Sequence, residues 1–140
     1  MTTIIATPTE IIGDRQLTDA DTICHIDKIF AIRGSLIGFA GDYAQALKFL
    51  EWFKNTRAKK RVDYPNDLDD FEAIEISKEG LFLWGENGIS YQPNEPFWAI
   101  GSGRGYALGA LAAGSSVKEA MEIAVRYDPY TGGPFDYKKL

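Results

Sequence analysis

The first forty positions carry short apolar runs interrupted by polar turn residues. Isoleucines stand in pairs at positions 4–5 and 11–12, and Pro, Gly or Asp follows each pair within three residues. Short β-branched runs bounded by such residues are typical of strands. The pattern therefore predicts a meander of hairpins, with strands over residues 3–6, 10–13, 22–25, 28–33 and 36–40.

The period changes to that of a helix after Gly41. Asp42 is a candidate N-cap, because its side chain can accept a hydrogen bond from the first helical turn. The apolar positions behind it recur at helical spacing and are Tyr43, Ala46, Leu47, Leu50 and Phe53. We expect a helix to about residue 56. Residues 57–70 are charged, contain Pro65 and follow neither period, which favours a surface connection.

The second half of the chain returns to strands and then ends in helices. Strands are predicted over residues 72–77, 81–85, 89–91 and 97–100, and a helix rich in small residues over 105–113. Ser116 and Glu119 form a capping-box pattern that starts a further helix, which Asp128 and Pro129 end. This order of elements predicts stacked sheets flanked by helices.

Composition indicates one domain over residues 1–140. Hydrophobic residues make up 45% of the 140 residues, enough for a core without disulfide or metal support. The formal net charge of -5 gives no basic footprint for nucleic acid. Trp52 and Tyr106 are expected to leave apolar area at the surface, which favours self-assembly.

The cysteine count and the apolar runs favour a cytoplasmic protein. Cys24 is the single cysteine, so no internal disulfide can form, and we expect it to be a small core residue. His25 is the single histidine, and we expect no metal site. No apolar run reaches the roughly 18–20 residues of a membrane helix, and residues 1–20 lack the features of a signal peptide.

Thr2 follows Met1 directly and is the leading candidate for chemistry. If Met1 is removed, Thr2 carries both a hydroxyl nucleophile and an α-amine whose pKa lies near ~7.7–8.0, suitable for a general base. Lys28 would lower the pKa of that amine by charge repulsion, and Asp14 would hold Lys28 through an ion pair. These residues suggest an N-terminal-nucleophile hydrolase.

Five segments in order along the chain resemble the proteasome β-subunit superfamily, which includes the HslV-like peptidases. They are Thr2-Thr3-Ile4-Ile5, Gly13-Asp14-Arg15 with Lys28-Ile29, Ile37-Gly38-Phe39-Ala40-Gly41, Ala99-Ile100-Gly101-Ser102-Gly103 and Asp128-Pro129-Tyr130-Thr131-Gly132-Gly133. The resemblance covers nearly the whole chain. It implies an α+β fold, the four-layer αββα sandwich of proteasome-like N-terminal-nucleophile hydrolases.

The resemblance also implies roles for individual residues. Thr2 is the expected nucleophile and its amine the base, and the backbone N–H of Gly41 is the expected oxyanion donor. The surrounding residues are Asp14 and Lys28, which tune the site, Ser102 as a hydrogen-bonding and proton-relay partner, and Asp128 and Thr131 around the threonine. The substrate side-chain pocket is expected to consist of Ile26, Phe30, Phe39 and Tyr43, which favours apolar residues at the cleaved bond.

The chain is shorter than the family pattern in several places. The first hairpin and the stretch between Asp14 and Lys28 are each shortened by an even number of residues, which preserves the face that each side chain occupies. Residues 57–70 stand where the family has a second helix, and only residues 134–140 remain where it has a final strand pair. We therefore expect a sandwich shortened in the first helical layer and at the C-terminus.

The resulting prediction is a threonine-type endopeptidase that hydrolyses peptides or unfolded polypeptide without a cofactor or metal. By resemblance, the partners are copies of the chain in a ring or double ring and an ATP-dependent unfoldase, with no nucleic acid and no membrane. Two alternatives stay open, a catalytically silent proteasome-like ring component and an amidase acting on small amides. Removal of Met1 discriminates the silent form, because a retained methionine blocks the amine.

Overall fold

The computed structural model describes residues 2–55, 64–65, 67–85 and 88–140. Within these ranges the strands are β1 (Thr3–Ala6), β2 (Glu10–Asp14), β3 (Gln16–Asp19), β4 (Thr22–His25), β5 (Ile29–Ile32), β6 (Ser35–Gly41), β7 (Phe71–Ser77), β8 (Gly80–Trp84), β9 (Ser90–Tyr91), β10 (Trp98–Gly101) and β11 (Phe135–Lys139). The helices are α1 (Tyr43–Asn55), α2 (Arg104–Ala112) and α3 (Val117–Tyr127). The basic cluster from residue 57 to 61 and most of the predicted surface connection lie outside the described residues.

The strands form two large antiparallel sheets and one hairpin. The first sheet has the strand order β10-β1-β2-β11, and the second has the order β5-β6-β7-β8-β9. β3 and β4 pair only with each other in the described chain. Because antiparallel neighbours need only short turns, most of these pairings join consecutive segments, while β10 and β11 return to the first sheet from far along the chain.

The two large sheets pack face to face. Their shared core contains Ile4, Ile11, Ile29, Ile74 and Ile100, all nearly inaccessible to solvent. Glycines allow the close approach, since a Cβ added at Gly38 would lie 2.6 Å from an atom of Ile4 in the other sheet, and one added at Gly13 would lie 3.1 Å from an atom of Ile29. The side-chain alternation of β1 therefore directs Ile4 into the interior between the sheets.

Helices cover the outer faces of both sheets. On the second sheet, α1 packs Phe49, Trp52 and Phe53 against strand residues. On the first sheet, α2 and α3 pack small and apolar residues, among them Ala107 and Met121, against the side that Ile5 faces. The architecture is therefore the four-layer αββα sandwich that the resemblance implied, and α1 is the described helix of its first layer.

Helices α1 and α3 begin at the capping residues that the sequence predicts. The Asp42 carboxylate accepts a hydrogen bond from the amide of Gln45 at 2.9 Å, as expected for an N-cap. Ser116 and Glu119 form the predicted capping box, each side chain accepting from the other's backbone amide. No helix in the described part of the chain is long and apolar enough to cross a membrane.

Four expectations about individual segments need correction. β3 and β11 are not predicted by the sequence pattern, and β11 supplies a final strand, paired with β2, where only a short remnant was expected. Cys24 is exposed rather than in the core, because the hairpin of β3 and β4 pairs with neither large sheet and every residue of β4 is exposed. Trp52 of α1 is 5% exposed because it packs against the second sheet, so it adds no apolar area to the surface. Tyr106 is 47% exposed and does add such area.

Candidate active site

Thr2 lies directly before β1, a central strand of the first sheet, and is only 4% exposed. Its carbonyl oxygen accepts a hydrogen bond from the amide of Ser102 at 2.7 Å, just beyond the end of β10. Gly101 has a φ of +96°, and a Cβ there would lie 2.0 Å from that carbonyl oxygen. Glycine at position 101 thus permits the contact that fixes the backbone of Thr2.

Lys28 and Asp14 form a buried ion pair beside the Thr2 hydroxyl. The Lys28 ammonium donates to Thr2 Oγ1, to Asp14 Oδ1 at 3.1 Å and to the carbonyl of Gln16 at 2.6 Å. Lys28 is 3% exposed and Asp14 is inaccessible to solvent. The interaction therefore operates with little screening by water.

Burial shifts both pKa values of this pair against the charged forms. Loss of solvation raises the pKa of Asp14, and the Lys28 charge and several hydrogen bonds only partly offset it. Loss of solvation likewise lowers the pKa of Lys28, with the Asp14 charge opposing the change. Lys28 therefore carries a proton that it releases more readily than a surface lysine, next to the Thr2 hydroxyl.

Asp14 also organises the backbone around Thr2. Its Oδ1 accepts from the amide of Thr3 at 3.1 Å, and its Oδ2 accepts from the amide of Gly132 at 3.3 Å. The same carboxylate thus connects the start of β1, Lys28 and the loop after α3. One side chain fixes three separate segments at the hydroxyl of Thr2.

Ser102, Asp128 and Thr131 form a second polar group on the other side of Thr2. Asp128 Oδ2 accepts from the hydroxyl of Ser102 at 2.6 Å and from that of Thr131 at 2.5 Å. The Thr131 hydroxyl also lies 2.7 Å from that of Thr3. Burial would raise the pKa of Asp128, but these hydroxyl bonds and the amide of Tyr130 hold it below its ordinary value.

Gly41 lies at the end of β6, just before α1, in a cleft that also contains Thr2 and Ser102. Its φ is +102°, and a Cβ would approach the carbonyl oxygen of Asp70 to 2.5 Å. Glycine is thus required both by the backbone conformation and by the close approach. The cleft has a volume of about 560 Å³, and its lining residues include Asp42, Asp69, Asp70, Phe71, Glu72 and Arg104.

A second, small pocket lies beside Thr2 and shares Thr2, Ala40 and Gly41 with the cleft. Its other lining residues are mostly apolar and are Leu17, Ile26, Lys28, Phe39, Tyr43 and Ala46. Leu17 and Ala46 are not among the pocket residues that the resemblance implied. Phe30 is placed differently, because it packs against the Phe39 ring at 5.9 Å in the cluster under α1. The free volume of the pocket is about 10 Å³, room for roughly one water.

The structure thus brings seven of the expected residues to one end of the sandwich, namely Thr2, Asp14, Lys28, Gly41, Ser102, Asp128 and Thr131. Among the described residues, no group of three or more His, Cys, Asp or Glu side chains is arranged to hold a metal ion. Chemically, the arrangement offers a hydroxyl beside a buried ammonium, with a glycine at a helix start facing the same cleft.

The known proteins with similar sequences include protease subunits. The chain is 32% identical to the ATP-dependent protease subunit HslV of Sulfurihydrogenibium sp. (strain YO3AOP1) over 171 aligned positions, which cover 99% of this chain and 96% of that protein. The alignment is longer than the 140 residues of the chain, so it contains gaps consistent with the shortened segments. No protein-family profile matches.

Solved structures agree with this match. Eukaryotic HslV from Trypanosoma brucei has a TM-score of 0.79 at 26% identity, and the comparison covers 99% of both chains. The protein BPH of Thiobacillus denitrificans, solved in complex with epoxomicin, has a TM-score of 0.74 at 17% identity over 99% of this chain and 97% of that one, and shows the fold alone. By sequence and by structure, the chain belongs to the HslV family of proteasome-like, threonine-type peptidases.

Proposed function

We propose that removal of Met1 exposes Thr2 as the N-terminal nucleophile of a peptidase. The observation that carries this proposal is the contact of the Lys28 ammonium with Thr2 Oγ1, made by a lysine that is buried and paired with Asp14. Burying a charge costs free energy of folding. Buried ionisable groups in contact with a possible nucleophile are typical of active sites, where they change its reactivity. The domain acting in this way is the whole chain, residues 1–140.

The reaction proceeds in two steps. The α-amine takes the proton of Thr2 Oγ as that oxygen attacks the substrate carbonyl carbon, and the resulting oxyanion accepts a hydrogen bond from the Gly41 amide. Collapse breaks the peptide bond, and the protonated amine gives its proton to the leaving nitrogen. The ester that remains is then attacked by water, with the same amine as base, which releases the acid product and restores Thr2.

Lys28 supports these steps by charge. Its proximity lowers the pKa of the α-amine through repulsion, so that the amine is unprotonated near neutral pH. It also stabilises negative charge that develops on Thr2 Oγ during attack. Ser102, Asp128 and Thr131 hold the backbone of Thr2, and Ser102 is additionally placed to relay a proton.

The small pocket beside Thr2 is proposed to receive an apolar side chain of the substrate. Ile26, Phe39 and Tyr43 present no charge that could pair with an acidic or basic group. Lys28 also lines the pocket, but its charge is already paired with Asp14 at 3.1 Å. Because the free volume is small, entry of a side chain requires Phe39 or Tyr43 to move. Fluorogenic peptides ending in leucine or alanine should be cleaved faster than those ending in arginine or glutamate. Faster cleavage after arginine or glutamate would contradict the assignment of this pocket.

The relatives are named as subunits of an ATP-dependent protease, and we propose an assembly of this kind for the present chain. It would combine a ring or double ring of identical chains with a separate ATP-driven unfoldase that supplies unfolded polypeptide, in the cytoplasm. Tyr106 and Tyr127 support self-association, because their stacked rings are 47% and 58% exposed on the outer face of α2 and α3.

The decisive experiment compares wild-type protein with Thr2→Ala, using intact mass to establish the state of Met1 and turnover of an apolar peptide to measure activity. Thr2→Ala retains an N-terminal amine and the strand but lacks the nucleophile, so hydrolysis should be abolished while fold and assembly persist. Thr2→Ser is the matched variant and should retain partial activity. Full activity in mass-verified Thr2→Ala would overturn the mechanism.

A silent ring component and a small-amide amidase predict other outcomes. The silent form predicts that Met1 stays on the chain and that no peptide is cleaved. The amidase predicts that small amides are hydrolysed while peptides are not. Either result would replace the peptidase proposal.

A further inference from the structure

The proposed nucleophile and the proposed oxyanion donor belong to different sheets. Thr2 precedes β1 of the first sheet, whereas Gly41 ends β6 of the second. Their separation therefore depends on how firmly the two sheets are joined at this end of the sandwich. Displacement of a reacting group by about 1 Å can lower a rate roughly a hundredfold.

Glu72 joins the sheets at this position. It lies on β7 of the second sheet, opposite Ala40 and one residue from the partner of Gly41 in the ladder. Its Oε2 accepts a hydrogen bond at 3.1 Å from the amide of Gly101, which is the last residue of β10 in the first sheet. Its Oε1 accepts from the Arg104 guanidinium at 2.7 Å.

Gly101 transmits this connection to Thr2. Its Cα faces the Thr2 carbonyl so closely that an added Cβ would meet the oxygen at 2.0 Å, and the next residue, Ser102, donates to that oxygen at 2.7 Å. A shift of the Gly101 peptide would therefore shift the backbone of Thr2. Glu72 thus lies two contacts away from the nucleophile without touching it.

We propose that Glu72 is a positioning residue that sets the distance between Thr2 Oγ and the Gly41 amide by tying the end of β10 to β7. This inference rests on the proposed function. Arg104 orients the carboxylate so that Oε2 faces the Gly101 amide. The essential bond is the one to the backbone, and the ion pair with Arg104 is secondary.

The ion pair alone is too weak to explain a large effect. The Arg104 side chain is 51% exposed and that of Glu72 is 39% exposed, and ion pairs in such settings typically change an equilibrium about fivefold or less. The two interactions can be separated by substitution. Glu72→Gln keeps an oxygen that can accept from Gly101, Glu72→Asp keeps the charge but is one methylene shorter, and Arg104→Ala removes only the ion pair.

The experiment measures kcat and KM for an apolar peptide with these three variants and Glu72→Ala. Glu72→Ala and Glu72→Asp should lower kcat about 10- to 100-fold with little change in KM, because geometry rather than binding is lost. Glu72→Gln should restore most of kcat, and Arg104→Ala should lose about fivefold or less. Glu122→Ala on the exposed face of α3 removes the same charge far from the cleft and should match the wild type.

Backbone protection supplies a second measurement that a general loss of stability would not reproduce. Amide hydrogen exchange at Gly101 should be faster in Glu72→Ala and Glu72→Asp than in Glu72→Gln, while exchange in the core of α3 stays unchanged. If Glu72→Ala does not fold, the comparison of Glu72→Asp with Glu72→Gln carries the test, because each keeps a polar side chain at this position.

The outcomes that overturn the inference differ from those that overturn the function. Wild-type kcat in Glu72→Ala or Glu72→Asp, or equal losses in Glu72→Gln and Glu72→Asp, would overturn the positioning role while the peptidase activity stands. A wild-type protein with a free Thr2 amine that cleaves no peptide would overturn the proposed function, and this inference with it.

Discussion

Two groups of side chains hold Thr2 from opposite sides, and they hold different atoms. The first group, Asp14 and Lys28, reaches the hydroxyl through the Lys28 ammonium. The second group, Ser102 with Asp128 and Thr131, reaches the backbone carbonyl through the Ser102 amide at 2.7 Å and the Ser102 hydroxyl at 3.3 Å. Through Lys28 the first group therefore acts on the atom that reacts, and through Asp14 it also bonds the amide of Thr3. The second group acts only on the backbone that determines where Thr2 lies.

The two groups also differ in how charge is used. Lys28 and Asp14 are almost inaccessible to solvent, and burial moves the pKa of each against its charged form. Asp128 is hydrogen-bonded by neutral hydroxyls and an amide, which keep its pKa below the ordinary value. We infer that loss of the first group changes reactivity, whereas loss of the second changes position, and that the first effect is larger.

Replacement of Lys28 should lower kcat more than any other substitution in these two groups. Lys28→Ala removes the charge that keeps the α-amine unprotonated near neutral pH, so kcat should fall roughly 10²–10⁴-fold, the usual range for general-base contributions. The measurement is turnover of an apolar peptide by protein whose intact mass shows that Met1 is absent.

Lys48→Ala is the matched control, because Lys48 is an exposed lysine on α1 away from the cleft, and it should match the wild type. A Lys28→Ala enzyme within a few-fold of wild-type kcat would show that the amine does not depend on this charge. The distinction between the two groups would then be lost.

Asp14→Asn should change the pH dependence in a defined direction. Activity requires an unprotonated α-amine and a charged Lys28, so it should rise with pH and fall again as Lys28 loses its proton. The Asp14 charge raises the pKa of Lys28 against the effect of burial, so its removal lowers that pKa further. The alkaline fall in kcat/KM should therefore move to lower pH.

The same substitution leaves Lys28 buried without its counter-charge. Breaking a buried ion pair in this way typically costs roughly 3–5 kcal/mol in the free energy of unfolding, which thermal or denaturant unfolding would measure. Asp136→Asn on β11 is the control, because its ion pair with Lys138 is partly exposed and long at 3.9 Å. An alkaline fall at unchanged or higher pH in Asp14→Asn would contradict the electrostatic coupling.

The sequence predicts the parts of this site that have a local signature. Thr2 follows the initiator and Gly41 precedes an N-cap, so each can be recognised from a few neighbouring residues. The capping box at Ser116, outside the site, likewise predicts the start of α3. Because successive side chains of a strand point to opposite faces, Ile4 and Ile5 of β1 pack against different layers. Those layers are observed, between the sheets and under the helices.

The remaining features depend on contacts between distant segments. β3 contains Leu17 as its one strongly apolar residue, and its side-chain pattern resembles a loop. β11 is stabilised by pairing with β2, more than 120 residues earlier, which includes the Tyr137 hydroxyl donating to Glu10 at 2.8 Å. Glu72 on the second sheet accepts a hydrogen bond from the amide of Gly101 on the first. No residue spacing within β7 predicts this contact.

Replacement of Ser102 should produce the smallest of these effects on kcat, and its contrast with Lys28→Ala tests whether the two groups have different roles. Ser102→Ala keeps the backbone amide that holds the Thr2 carbonyl but removes the hydroxyl, which bonds Asp128 at 2.6 Å and lies 3.3 Å from the same carbonyl oxygen. Because a hydroxyl has one proton to donate, the loss is about one hydrogen bond of roughly 0.5–1.5 kcal/mol, and kcat should fall about 2- to 13-fold. The lost bond lowers the pKa of Asp128, so that pKa should rise, and any dependence of activity on ionised Asp128 should move to higher pH. A kcat loss as large as that of Lys28→Ala, measured on the same peptide, would instead assign Ser102 to proton transfer, and the two sides of Thr2 would then share the chemistry.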